Sequence, residues 1–125
     1  MPTTSVSLSP DVLALLGRRG KTRPVLEAAL LVAALGDVPE QIATAKRGLV
    51  LRGLGRYPVN VRLSPGMCAF RAVLVWEFAN FSAWAEAAAS LHAKDGALVV
   101  AEFSREERQQ LEAALLARYA GKAPT

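Results

Sequence analysis

Asn60 and Arg62 stand two residues apart in a run where Val59, Val61 and Leu63 alternate with them, so an amide and a guanidinium share one face of a short strand. These two side chains are the ones best suited to adenine and guanine, because each can make paired hydrogen bonds to one purine edge. Ser5, Ser7 and Ser9 alternate with Val6 and Leu8 in the same way and set a row of hydroxyls on one face of an earlier strand. Chemistry of this kind recognises a surface; it does not break bonds.

The residues that catalysis would need are missing or badly placed. A Ser-His-Asp triad or a Cys-His pair would have to use His92, the single histidine, which sits at a polar helix end where a solvent-facing imidazole is expected. One cysteine and one histidine make no zinc pattern without recruiting carboxylates. Glu106, Glu107 and Glu112 read as a helix start and a solvated face. Trp76, Phe78, Phe81 and Trp84 have helical spacing and apolar neighbours, which favours core packing over a platform for stacked bases. The glycines from Gly48 to Gly55 fit neither the dinucleotide fingerprint nor the P-loop, and Gly20-Lys21-Thr22 lacks the leading glycine, Leu15 standing in its place. No enzyme, cofactor or metal site is expected.

The elements that must position the hydroxyls follow directly. Ser9-Pro10 starts a helix, since a Ser oxygen accepts from orphan first-turn N–H groups and Pro is harmless at the first helical position. Val12, Leu13, Leu15 and Leu16 give this helix its stripe, and Gly17 and Gly20 end it early around Arg18 and Arg19. Thr22 is placed to cap a second helix that tolerates Pro24 in its first turn and runs through Leu26, Ala29, Leu30 and Ala33. Helices this short cannot bury an apolar face alone.

The run Ser5-Val6-Ser7-Leu8-Ser9-Pro10-Asp11-Val12-Leu13, followed by Gly20-Lys21-Thr22-Arg23 and an Ala/Leu-rich helix, resembles the ribbon-helix-helix superfamily of Arc/MetJ-type repressors. The resemblance implies two strands paired antiparallel, the ribbon entering the DNA major groove with its outward side chains on base edges. Carried over by position, Thr3, Ser5 and Ser7 fall on the base-reading face. Lys21, Thr22 and Arg23 fall where the second helix would hold a phosphate. The chain departs from the family pattern in having no Arg or Lys between Thr3 and Ser9, and in a shorter first helix.

Asn60-Val61-Arg62-Leu63-Ser64-Pro65 repeats Ser5-Val6-Ser7-Leu8-Ser9-Pro10 at an offset of 55 residues. Helical sequence again follows, from Met67 to Phe78, with a break at Asn80 and Ser82 as the expected cap of a helix over Ala83–Ala93. If this is a second, diverged copy, the two strands can pair within one chain and make what the family usually makes as a homodimer. Such a fusion would read an asymmetric site; a chance match in a biased sequence is the other reading.

Between the copies, Asp37 caps a helix with Pro39 in its first turn that runs to about Lys46-Arg47, and Gly48–Arg56 is open between a short strand, a frayed helix end and a hinge. Beyond the second copy, Asp95-Gly96 is a turn signal and Ala97–Phe103 reads as a strand that adds to a sheet or forms a dimer contact. Ser104 and Glu107 form a capping box for a last helix with Leu111, Ala114 and Leu115 on one face.

The 125 residues are 52% hydrophobic, which calls for a packed core. The net charge of +4 is concentrated in the half that carries the resemblance: through Arg62, nine bases face four acids, and the remainder carries six bases and seven acids. That distribution suits a nucleic-acid contact and equally a solvated basic face. Cys68 is the single cysteine, so no disulfide framework exists and a reducing, cytoplasmic setting is expected. Met1–Ser9 has neither a basic nor an apolar leader region, and the apolar stretches near Val25–Leu35 and Met67–Phe81 are too short to span a bilayer.

The expected fold is mainly α with short β-strands: a ribbon-helix-helix unit over residues 1–36, a helical and Gly-rich connector over 37–56, a second such unit over 57–94, and a strand and helix over 95–125. The expected function is sequence-specific binding of double-stranded DNA by a bacterial or phage regulator close to the nucleoid, as a homodimer or an intrachain pseudo-dimer. Asn60, Arg62, Ser5 and Ser7 would face bases, and Lys21, Thr22, Arg23 and the Ser82 helix start would hold phosphates. The alternative is a protein-interaction module, such as an antitoxin bound to its toxin or an accessory assembly protein.

Overall fold

A computed structural model describes residues 3–17, 22–50, 57–78, 80–91, 93–94, 97–98 and 103–122. Among them the chain runs β1 (Thr3–Leu8), α1 (Pro10–Gly17), α2 (Thr22–Ala34), α3 (Val38–Val50), β2 (Tyr57–Arg62), α4 (Pro65–Phe78), α5 (Phe81–Leu91), β3 (Ala93–Lys94), β4 (Ala97–Leu98) and α6 (Arg105–Tyr119). The fold is mainly helical with short strands.

β1 and β2 pair antiparallel, with Thr3 opposite Arg62, Ser5 opposite Asn60 and Leu8 opposite Tyr57. The register has a consequence for the repeat. Ser5 and Asn60 are equivalent at the 55-residue offset, so a residue paired with its own counterpart marks a pseudo-two-fold axis through the middle of the ribbon. Alternation decides the faces: Val6, Leu8 and Val61 are buried, whereas Thr3, Ser5, Pro58, Asn60 and Arg62 are exposed. Each of those buried side chains contributes about 1.5–3 kcal/mol, enough to offset the ordering of its own backbone.

The two halves start their helices alike. Ser9 Oγ accepts the Val12 N–H at 3.4 Å and Ser64 Oγ accepts the Met67 N–H at 3.2 Å, equivalent pairs at the same offset. The Ser-Pro helix starts expected from the sequence are both present. Asp37 Oδ1 accepts the Glu40 N–H at 3.4 Å, as a cap should, and α3 continues through Gly48 to Val50, which resolves the open reading of those three residues in favour of helix. Leu51–Arg56 lie outside the described residues.

The helices close over the inner face of the ribbon. Val6, Leu8, Val61 and Leu63 join Leu26, Leu30, Phe70, Leu74, Trp84 and Leu115 in one cluster, so both strands of the ribbon and the helices from α2 to α6 that carry these residues share a core. Gln41 on α3 pins two of them: its Nε2 donates to Ala33 O at 2.9 Å and its Oε1 accepts from Trp84 Nε1 at 2.8 Å, both buried. Neither the amide nor the indole is left unpaired.

α6 begins with the expected capping box, Ser104 and Glu107 each accepting the other's backbone N–H. It lies against α4 so closely that a Cβ on Gly66 would stand 2.8 Å from Glu112 O. Phe70 meets Tyr119 edge-on at 5.1 Å and Trp84 at 4.7 Å, and Arg118 Nη1 donates to Leu35 O at 3.0 Å.

Four expectations need correction. α5 is capped by Asn80, whose Oδ1 accepts the Ala83 N–H at 2.9 Å, because Phe81 must already be helical to turn into the core; Ser82 is therefore the second helical residue. Trp76 is 68% exposed, since it lies two residues past buried Leu74 and so on the opposite side of α4. Glu112 is half-buried rather than solvated. The strand expected over Ala97–Phe103 is described only at Ala97–Leu98, paired with Ala93–Lys94, and Phe103 is outside any strand.

Candidate nucleic-acid interface

A two-stranded ribbon has two outer edges, each with backbone N–H groups that neither strand can satisfy. Here α2 and α5 close them, each reaching across to the strand of the other half. The Ser7 N–H on β1 donates to Ser82 Oγ on α5 at 3.0 Å, and the Arg62 N–H on β2 donates to Glu27 Oε2 on α2 at 2.7 Å. Ser7 and Arg62 are equivalent at the 55-residue offset, and so are Ser82 and Glu27. The pseudo-symmetry thus extends from the ribbon into the helices. A further bond, from the Ser9 N–H to Glu86 Oε1 at 3.3 Å, holds the same edge of β1 on α5.

With its edges tied, the ribbon presents one open face. Thr3, Ser5, Asn60 and Arg62 come together on it, exposed, and Pro58 joins them as an exposed neighbour that the sequence reading passed over. Ser7 is half-buried. Arg23 is exposed in the first turn of α2 and Thr22 is the first residue of that helix. Lys21 and His92 lie outside the described residues. Ser82, expected at the start of α5, is committed through Oγ to the edge of β1.

Glu27 was not anticipated as part of the site. Its side chain is only 6% exposed, and its Oε2 lies 3.7 Å from Arg62 Nε as well as on the Arg62 N–H. A fixed carboxylate therefore holds the root of the guanidinium while half of that side chain remains in solvent. The signal was in the repeat: the offset that aligns Ser7 with Arg62 also aligns Ser82 with Glu27.

Beside Arg62 a cleft of about 160 Å³ opens between the ribbon and α2, α4 and α6, lined by Glu27, Arg62, Ser64, Met67, Arg108 and Glu112. Its two arginines are balanced by two carboxylates, with Arg108 Nε 3.9 Å from Glu112 Oε1. Among the described residues no group of three or more His, Cys, Asp or Glu side chains could hold a metal ion, and no helix is long and apolar enough to cross a membrane. No family model, curated protein or solved structure matches this chain.

Proposed function

We propose that this chain is a ribbon-helix-helix protein folded as an intrachain pseudo-dimer, and that it binds double-stranded DNA by laying the β1–β2 ribbon in the major groove as a regulator of transcription. The observation that carries the reading is the register of β1 on β2, with Ser5 opposite Asn60. That register gathers Thr3, Ser5, Asn60 and Arg62 on one exposed face of a ribbon whose other face is buried.

A two-stranded antiparallel ribbon has the width to enter the major groove, where an amide and a guanidinium can each grip one purine by two hydrogen bonds. The beginnings of α2 and α5 offer partial positive charge and orphan N–H groups to phosphates, and Arg23 on α2 adds a full charge beside one of them. In this reading the protein is no enzyme and needs no cofactor. Its setting is the bacterial cytoplasm, at the nucleoid.

Binding to a fluorescent mixed-sequence duplex, followed by anisotropy across a salt series, tests the proposal. Affinity should fall steeply as salt rises, because each phosphate contact releases counterions. No binding even at about 50 mM salt would sink it. The exposed Trp76 and Leu91 favour a second reading, a module that holds a protein partner such as a toxin; capture of one specific partner by a protein without DNA affinity would support that reading instead.

A further inference from the structure

Resting on the DNA-binding reading, we propose that the ribbon reads a site without dyad symmetry, one chain per site in one orientation, with base discrimination concentrated under the Arg62 end.

A homodimeric ribbon repeats each side chain across its axis, so its preferred site is palindromic. The pseudo-axis here passes through the Ser5–Asn60 pair, and the residues that it relates differ in chemistry. Arg62 is matched with Ser7, Asn60 with Ser5, and Pro58 with Thr3. Arg62 brings a planar fork of five donors, whereas Ser7 brings one hydroxyl and is half-buried. Asn60 brings an amide against the hydroxyl of Ser5. Pro58 has no side-chain donor or acceptor at all.

Position along the ribbon sharpens the contrast. Arg62 pairs across the strands with Thr3, which sets a guanidinium and a hydroxyl on the open face at that end, while Ser7 pairs with Pro58, so neither side chain at the other end carries a charge. The ends lie four residues apart along a strand, about 13 Å at 3.3 Å per residue, or roughly four base-pair steps at 3.4 Å. The supports beneath them differ in the same sense. The Glu27 carboxylate holds the Arg62 backbone and lies 3.7 Å from its Nε, whereas at the equivalent point Ser82 offers the Ser7 backbone an uncharged hydroxyl. Arg62 against Ser7 and Thr3 against Pro58 both favour the Arg62 end, and at the axis itself the amide of Asn60 faces the hydroxyl of Ser5.

The test is selection from a randomised duplex pool by the full chain, with the bound fraction sequenced, and the stoichiometry of the selected duplex measured by sedimentation. The expected result is one non-palindromic block containing guanine, displaced from the centre of the footprint, with one chain on each duplex. Arg62→Ala should reduce the preference for that guanine by about ten- to hundredfold while salt-sensitive binding to the pool persists, and Arg62→Lys, which keeps the charge and loses the fork, should reduce it as well. Ser7→Arg should create a second block and move the consensus toward a palindrome. A palindromic consensus, a bound pool without any consensus, or two chains on each duplex overturns this inference and leaves DNA binding standing. A pool that is not retained even at low salt overturns the DNA reading itself, and this inference with it.

Discussion

Glu27 and Ser82 occupy equivalent places in the two halves of the chain and accept equivalent backbone N–H groups, Arg62 at 2.7 Å and Ser7 at 3.0 Å. One does so with a buried carboxylate and the other with a hydroxyl. The shorter bond is the charge-assisted one, as expected from the stronger acceptor.

Removing Glu27 therefore costs more than removing a surface carboxylate would. Glu27→Ala should lower stability by about 1.5–3 kcal/mol, the range for a hydrogen bond to a charged group, with Glu27→Gln losing less because its carbonyl still accepts. Urea unfolding monitored by circular dichroism checks this; equal stability of Glu27→Ala and the parent would show that the edge of β2 does not depend on this contact.

At Gly66 the limit is space. A methyl group there would meet Glu112 O at 2.8 Å and Leu116 N at 3.2 Å, both backbone, so α6 must move away from α4. Gly66→Ala should cost about 1–3 kcal/mol, the usual range for overpacking, and should disturb the contact between Phe70 and Tyr119. The unfolding midpoint and near-ultraviolet dichroism report both effects.

The amide of Gln41 serves two buried groups at once. Gln41→Leu should cost about 1–3 kcal/mol, because Trp84 Nε1 is left unpaired while Ala33 O keeps the Gly36 N–H at 3.0 Å. Trp84→Phe combined with Gln41→Leu should be less than additive, because the indole donor is no longer present to be orphaned. A strictly additive double-mutant cycle would mean that the bond between the two side chains adds nothing.

In the proposed DNA complex, Arg23 is the phosphate-side counterpart to Arg62. Arg23→Ala should weaken binding to all duplexes alike and reduce the slope of log affinity against log salt by about 1, the mark of a phosphate contact. Stability should change by no more than about 0.5 kcal/mol, since the residue is exposed. A change of sequence preference in this variant would put Arg23 on base edges.

Much of this arrangement was legible because its signals are local. The alternation in Ser5–Ser9 and Val59–Leu63, the two Ser-Pro helix starts, the Asp37 cap and the Ser104–Glu107 box each depend on residues within one turn of one another. The parts that escaped depend on distant partners. A glutamate in the Ala- and Leu-rich α2 reads as solvent-facing until the Arg62 N–H, 35 residues away, is placed beside it. Asn80 and Ser82 are both good caps by type, and only the burial of Phe81 selects the first. Trp76 shares its spacing with core aromatics, yet the side of α4 that faces inward is set by α6 and α2, which lie far off in sequence.

The pairing of β1 with β2 inside one chain also alters what inheritance can do. In a symmetric pair of identical chains a single codon sets a residue on both halves, so no change can be confined to one. Ser7 and Arg62 are equivalent in space but separate in the gene, and each can drift while the other is kept. Two linked half-units thus have two independent positions where a homodimer has one constrained position. Because the halves are tethered, the ribbon also forms without a second molecule to collide with, and a cell holding very few copies would still assemble it.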